Sequence, residues 1–108
     1  KVSLAGQITG VEGYVESAAI GLLVGRMVGA KISGRKVRLP PPDTALGALA
    51  HHLISQNDDF QPMNINFGLF KSSINNLKGK KNRRERYSTY TSIAKSSFQN
   101  WLKGVNFV

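Results

Sequence analysis

Residues 5–19 read AGQITGVEGYVESAA: a short apolar lead, a turn containing three glycines, and the start of a helix. Gly6, Gly10 and Gly13 fall in the turn, where the lack of a Cβ lets the backbone bend sharply and approach a ligand closely. The helix that follows offers unpaired N–H groups and the positive end of its dipole, which suit a phosphate or an electron-rich carbonyl oxygen. A cofactor-binding turn is the first hypothesis, and a loop–helix junction without a ligand is the alternative.

The segments on either side of the turn extend this interpretation. Residues 1–5 have the alternation of a strand end, with Val2 and Leu4 on one side and Ser3 on the other. A single strand is unstable without a neighbour, and the chain starts with Lys1 rather than Met, so we expect a piece of something larger. A helix is predicted over residues 14–29. Small residues recur along it every four positions and predict a face for close packing: Ser17, Gly21, Gly25 and Gly29.

Three further segments are predicted downstream. After the prolines at 40–42, Asp43 or Thr44 can cap a helix that continues to about residue 55. Apolar residues alternate with Asn64, Asn66 and Gly68 over residues 63–69, which predicts a strand or an extended arm. A last helix is predicted over residues 82–103, with an amphipathic stripe that we expect to pack rather than to stack on RNA bases. The stripe consists of Tyr87, Tyr90, Ala94, Phe98, Trp101, Leu102 and Val105.

The formal charge of +9 is concentrated in the last third of the chain. Residues 1–70 hold six Lys/Arg and five Asp/Glu, whereas residues 71–108 hold nine Lys/Arg and one acid, Glu85. Six of these cations fall within residues 78–86, and such clustering is typical of proteins that bind a phosphate backbone. They are Lys78, Lys80, Lys81, Arg83, Arg84 and Arg86. The alternative is a basic face that is merely solvated.

Composition limits the remaining possibilities. With 108 residues the chain is one small domain at most, and with no cysteine it has no disulfide, thiolate metal site or Cys nucleophile. His51 and His52 are adjacent and point to different sides of a helix, so no metal site is expected. The apolar stretch 18–30 is too short to span a bilayer and is interrupted by Arg26. No membrane contact and a soluble, cytoplasmic protein are expected.

Four stretches together resemble the C-terminal part of the TrmFO family, the folate- and FAD-dependent tRNA (uracil-5-)-methyltransferases. They are AGQITGVEGYVESAA at 5–19, PPDTALGAL at 41–49, DFQPMNINFGLF at 59–70 and KGKK at 78–81. The resemblance runs along most of this chain but covers only the end of the family's longer one. DFQPMNINFGLF is its most specific element.

The resemblance implies a fold and a division of the chain. We expect an α/β fragment: the last strand and helix of a Rossmann-like FAD-binding domain, followed by mainly helical C-terminal segments. Residues 1–30 would be the strand, turn and helix of that domain. Residues 31–76 would be a connector, a helix and an extended segment beside the cofactor site, and residues 77–108 a basic C-terminal helix.

The resemblance also implies a function and a set of site residues. The family transfers a one-carbon unit from methylenetetrahydrofolate to C5 of a T-loop uridine in tRNA, using FAD that NAD(P)H reduces. Gly6 and Gln7 would lie near the flavin's pyrophosphate and ribityl chain. Backbone N–H groups at the helix start would face the isoalloxazine, from Gly13, Tyr14, Val15 and Glu16. The basic cluster would face tRNA.

Two parts of the family's machinery are missing from these residues. The GxGxxG fingerprint for the ADP half of FAD is absent, and so is the cysteine that attacks the uracil ring. The chain alone is therefore expected to be inactive and to need the missing N-terminal part of the FAD domain as a partner. Two alternatives remain open: a fragment of the related MnmG wobble-uridine enzymes, and a stand-alone basic RNA-binding remnant of a degraded gene.

Overall fold

The fold is described by a computed structural model for residues 1–55, 58–70 and 82–105. This part of the chain is mainly helical and contains three α-helices. They are α1 (Tyr14–Ile32), α2 (Ala45–Ile54) and α3 (Arg83–Gly104). Two short 3₁₀ turns, Gln7–Thr9 and Phe67–Leu69, lie in the connections.

All three predicted helices are confirmed, and their capping residues explain where two of them begin. The Thr44 hydroxyl accepts a hydrogen bond from the Gly47 N–H at 3.0 Å, and the Asn82 amide oxygen accepts one from the Glu85 N–H at 2.9 Å. Such caps satisfy N–H groups that the helix itself leaves unpaired. α1 continues three residues beyond its predicted end and stops at Ile32.

The predicted strand at residues 1–5 is not formed. These residues have no regular secondary structure, and Val2 and Leu4 are 91% and 60% exposed. A strand needs a neighbour to satisfy its N–H and C=O groups, and the described residues supply none beside it. Within the described chain, the β-pairing is one isolated parallel bridge between Val11 and Met63. The Rossmann-like strand is therefore not confirmed.

A small apolar core joins the glycine turn to α1 and α2. Val11, from the turn, is fully buried, and Ile20 and Leu23 of α1 meet Leu49 and Ala50 of α2 around it. Burial of apolar side chains of this size stabilises the fold by about 1.5–3 kcal/mol each. The core therefore fixes the turn against both helices.

The proline segment before α2 packs directly on that helix. The Thr44 hydroxyl donates to the Pro41 carbonyl oxygen at 2.6 Å while accepting from Gly47, so one side chain ties the segment to the first turn of α2. A Cβ added at Gly47 would lie 2.6 Å from the Pro40 carbonyl oxygen and closer still to that of Pro41. Glycine at position 47 is what permits this approach.

α3 is held at two places along its length. Near its C-terminal end the Trp101 indole donates to the Arg38 carbonyl oxygen at 3.0 Å, and the Ser97 hydroxyl donates to the Asp43 carboxylate at 2.7 Å. Nearer its start, the Tyr87 ring stacks on Phe67 with centroids 4.3 Å apart. The aromatic residues of α3 therefore make intramolecular contacts, although no described residue of α3 is fully buried.

The glycine face of α1 differs from its prediction. A Cβ added at Gly21, Gly25 or Gly29 would meet no atom within 4 Å among the described residues. The predicted close approach of another backbone is therefore not observed at these three glycines in the part of the chain that the structure describes. The buried face of α1 is the one that carries Ile20, Leu23 and Ala30.

Substitution of Gly47 and Gly25 by alanine tests this packing. We expect Gly47→Ala to lower the free energy of unfolding by about 1–3 kcal/mol, because the added methyl group meets fixed proline carbonyls. Gly25→Ala serves as the matched control, and we expect it to raise that free energy by up to about 1 kcal/mol, because alanine is the better helix former. Urea unfolding of the 108-residue chain, followed by circular dichroism, measures both. Equal effects of the two substitutions would contradict the close contact at Gly47.

Candidate functional site

The turn of residues 6–13 is shaped by glycines with positive φ. Gly6, Gly10 and Gly13 have φ of 81°, 96° and 84°, on the left-handed side of the Ramachandran plot that other residues rarely adopt. Between the first two, the Thr9 N–H donates to the Gly6 carbonyl oxygen at 2.9 Å, and the Thr9 hydroxyl donates to the same oxygen at 2.6 Å. The glycine spacing noted in the sequence therefore corresponds to real backbone requirements.

The turn leads into an α1 N-terminus that no side chain caps. Gly13 is the N-cap residue and offers no side-chain acceptor, and the first helical hydrogen bond is from Ser17 N–H to the Gly13 carbonyl oxygen at 3.1 Å. The N–H groups of Tyr14, Val15 and Glu16 precede that bond and are the groups a helix leaves unpaired. Together with the helix dipole, they form a suitable environment for negative charge.

A cavity of about 270 Å³ lies at this N-terminus. It is lined by Gln7, Gly13, Tyr14 and Ser17. Tyr14 and Val15 beside it are 97% and 79% exposed, an unusual exposure for side chains of this size and apolar character. The structure thus brings Gln7, Gly13 and Tyr14 to one place.

Ser17 is a member of this cavity that the sequence did not single out as a site residue. It was noted only as part of the small-residue face of α1. The signal that could have found it is its spacing, since Ser17 lies one helical turn after Gly13 and shares that side of the helix. Gly6 is also near it, because a Cβ at Gly6 would lie 3.8 Å from the Ser17 Cβ.

The extended segment after Phe60 lies directly beside the turn. The Glu12 N–H donates to the Met63 carbonyl oxygen and the Met63 N–H donates to the Gly10 carbonyl oxygen, both at 3.1 Å. The Glu16 carboxylate accepts a longer hydrogen bond, 3.4 Å, from the Ile65 N–H. Residues of the turn and of α1 therefore both hold this segment in place.

The predicted extended arm is observed only in its first half. Met63 and Ile65 are half-buried while Asn64 and Asn66 are exposed, as the alternation predicted. From Phe67 the chain turns instead into the 3₁₀ turn, because the Asn66 side chain accepts from the Gly68 N–H at 2.8 Å and favours a bend there. Continuation of the arm to residue 69 was therefore a wrong prediction.

The basic cluster is divided by the limits of the described chain. Lys78, Lys80 and Lys81 lie outside the described residues. Arg83 and Arg84 are exposed in the first turn of α3, and Arg86 is half-buried. The Arg83 guanidinium donates to the Tyr87 hydroxyl at 2.9 Å and lies 5.3 Å from the centroid of that ring.

Other kinds of site find little support in the described residues. Across 1–55, 58–70 and 82–105, no three His, Cys, Asp or Glu side chains gather as metal ligands would. The His52 ring nitrogen lies 3.2 Å from the Gln61 carbonyl oxygen, and the ring stacks on Phe60. None of the described helices combines the length and apolar character needed to cross a membrane.

Three glycines with positive φ are followed by a helix N-terminus without a side-chain cap. This arrangement is typical of sites that bind an anion or a cofactor. The same part of the chain matches a family of known proteins. The family model described as glucose inhibited division protein A matches residues 1–36, which include the turn and all of α1.

Comparison with curated proteins covers nearly the whole chain. The methylenetetrahydrofolate–tRNA-(uracil-5-)-methyltransferase TrmFO of Cereibacter sphaeroides is 53% identical over 103 residues, which are 94% of this chain and 23% of that protein. The proteins of the same name from Dinoroseobacter shibae and Paracoccus denitrificans are 55% and 52% identical, over 91% and 93% of the chain. The resemblance to the TrmFO family is therefore confirmed. The chain spans about a quarter of the length of these relatives.

Substitution of Gly13 tests the turn, and Gly34, which lies after α1, is the matched control with positive φ. Gly34 has φ of 72° and no atom within 4 Å of an added Cβ, so Gly34→Ala should cost only the backbone strain, about 1–2 kcal/mol. At Gly13 a Cβ would also collide with the Glu16 carboxylate and lie 3.1 Å from the Asn64 side-chain oxygen. We expect Gly13→Ala to be the more destabilising substitution in urea unfolding. An equal loss for both would mean that Glu16 moves aside freely.

Proposed function

We propose that this chain is the C-terminal part of a folate- and FAD-dependent tRNA (uracil-5-)-methyltransferase that acts on a T-loop uridine. The observation that carries the proposal is the identity of 52–55% to proteins named TrmFO along more than nine-tenths of the chain. Because the match extends through the connector, α2 and α3, it favours this function over the MnmG alternative.

The residues at the turn fit a flavin. Gly6 and Gly13 contribute no side chain to the turn, and the uncapped α1 N-terminus leaves N–H donors for an acceptor. We assign Gly6 and Gln7 to the flavin's pyrophosphate and ribityl chain. The N–H groups of residues 13–16 would face the isoalloxazine, whose reduced form carries negative charge that a helix N-terminus stabilises.

In this assignment the protein positions the flavin and stabilises the charge on it. When bound, FAD provides the carrier for the one-carbon unit and the electrons, with methylenetetrahydrofolate as donor and NAD(P)H as reductant. The exposed Tyr14 and Val15 side chains would cover the ring system and exclude water from it. Glu16 would hold residues 63–66 beside the ring through the Ile65 N–H, so that these residues form one wall of the site.

The remaining parts of the site must come from outside these 108 residues. The chain has no cysteine to attack uracil C6 and no GxGxxG turn for the ADP half of FAD. We therefore place both in the N-terminal part of the enzyme, which is the partner of this chain. The 108 residues alone would not methylate tRNA.

Methyl transfer by the full-length protein tests the proposal. With tRNA transcript, methylenetetrahydrofolate and NAD(P)H, we expect a yellow flavoprotein that adds one methyl group at uracil C5 in the T-loop, located by mass spectrometry of tRNA fragments. The 108-residue chain is the matched control and should add none. Modification at the wobble uridine would establish the MnmG alternative, and purified protein without flavin absorbance would contradict the assignment of the turn.

The Arg cluster at the start of α3 should contact tRNA phosphates. In the full-length protein we expect Arg83→Gln, Arg84→Gln and Arg86→Gln together to weaken tRNA binding. The slope of log K against log salt should fall by up to about 0.9 per lost phosphate contact. The matched triple substitution by lysine keeps the charge and should retain most of the slope. Unchanged affinity and slope in the glutamine variant would mean that the cluster is a solvated face.

A further inference from the structure

A second basic surface lies on the connector between α1 and α2, away from the Arg cluster. It is an open groove of about 840 Å³, formed by the C-terminal part of α1 and the chain that follows it. We call it the connector groove. Its cationic lining residues are Lys31, Arg35, Lys36 and Arg38.

The connector groove is formed largely by a part of the sequence that contains no acidic residue. Residues 17–42 contain five Lys/Arg and no Asp/Glu. Lys31, Lys36 and Arg38 are exposed, and none of the three forms a salt bridge within the described residues. Lys31 lies in the last turn of α1, where a cation is stabilised by the helix dipole. Lys36 and Arg38 lie beyond the helix, so that explanation does not extend to them.

The floor of the groove is apolar, whereas four of its other lining residues are cationic. Val24, Met27 and Val28 of α1 and Val37 of the connector line it and are half-buried. An aliphatic floor accommodates the sugar face of a nucleotide chain, and cations around it can pair with the phosphates on either side. A ribose-phosphate strand offers both features, whereas a free inorganic anion would use only the cations.

α3 connects the two basic surfaces. Its Trp101 indole bonds to the carbonyl oxygen of Arg38, a lining residue of the groove, while Arg83 and Arg84 lie in its first turn. The rise of about 1.5 Å per residue places Arg84 about 25 Å from Trp101 along the helix. The Arg cluster and the connector groove therefore lie near opposite ends of α3, and two cationic surfaces placed in this way suit a long polyanion.

We propose that the connector groove binds the ribose-phosphate backbone of tRNA, as a second contact on the same RNA that the Arg cluster engages. The identity of the RNA rests on the proposed function. The groove's own evidence is the three exposed cations Lys31, Lys36 and Arg38, its apolar floor and its connection to the far end of α3.

Substitution of Lys31 and Lys36 in the full-length protein tests the proposal. We expect Lys31→Gln with Lys36→Gln to weaken tRNA binding about tenfold at 0.15 M salt, and the salt slope to fall by about 1.5. The matched control is Lys95→Gln with Lys103→Gln, which removes the same charge from exposed positions of α3. Those positions are separated from Trp101 by about 120° and 160° around the helix, so they face away from the groove.

Four outcomes can be separated. A loss confined to the groove variant, with unchanged circular dichroism and recovery in Lys31→Arg with Lys36→Arg, supports the proposal. An equal loss in the Lys95 and Lys103 control would overturn it, because net charge alone would then account for binding. Unchanged tRNA affinity in the groove variant would also overturn it. If the thermal stability of that variant fell at the same time, the groove would be occupied by another segment of the protein instead of by tRNA. If no variant altered tRNA binding, including the glutamine variant of the Arg cluster, the result would instead refute the proposal that the Arg cluster contacts tRNA.

Discussion

Two backbone hydrogen bonds around one fully buried valine determine how the glycine turn and the segment after Phe60 meet. Val11 has no exposed surface, and its neighbours Gly10 and Glu12 exchange hydrogen bonds with Met63. A bond of this kind adds only about 0.5–1.5 kcal/mol, but an unmade one would leave a polar backbone group without a partner beside the core. The pairing brings residues more than 50 positions apart side by side. The site beside the turn therefore depends on it.

The same pairing controls the position of α3. Once Met63 is fixed, the chain bends after Asn66, and Phe67 comes to stack on Tyr87 of α3. At the other end of the helix, the bonds of Trp101 and Ser97 hold it to the connector. α3 thus spans from the segment beside the turn to the connector groove, although none of its described residues is fully buried. Polar and aromatic contacts, rather than a deep core, orient its basic residues.

Local signals predicted the helices well because each helix contains, within its own sequence, a residue that marks its start or a helical spacing of apolar residues. Thr44 and Asn82 are capping residues recognisable from sequence, and Gly13 lies at the start of α1. The strand at residues 1–5 failed because strand formation depends on a neighbour, which a local alternation pattern does not reveal. The arm after Met63 failed at Phe67 for another local reason, the side-chain bond from Asn66 to Gly68. The predicted pattern of burial was right up to that bend.

The site was harder to predict than the helices, because its residues come together through contacts between segments that are distant in the sequence. The resemblance to the TrmFO family implied Gln7, Gly13 and Tyr14 as site residues, and these three do line one cavity. Spacing gave no indication that Glu16 reaches the Ile65 N–H, a contact across 49 positions. The connector cations were visible in the sequence, but a run of lysines and arginines does not disclose a groove.

The surfaces that α1 leaves open can be understood from the same contacts. Its buried face is used by Val11 and α2, while the glycine face and the exposed Leu22 meet none of the core. Apolar side chains of this size are usually covered in a folded protein, and a smooth glycine face permits close approach of another element. The relatives are about four times as long as this chain, so they contain enough further structure to cover such a surface. In the proposed enzyme, the N-terminal part of the FAD domain would pack there, leaving the helix N-terminus free for the flavin.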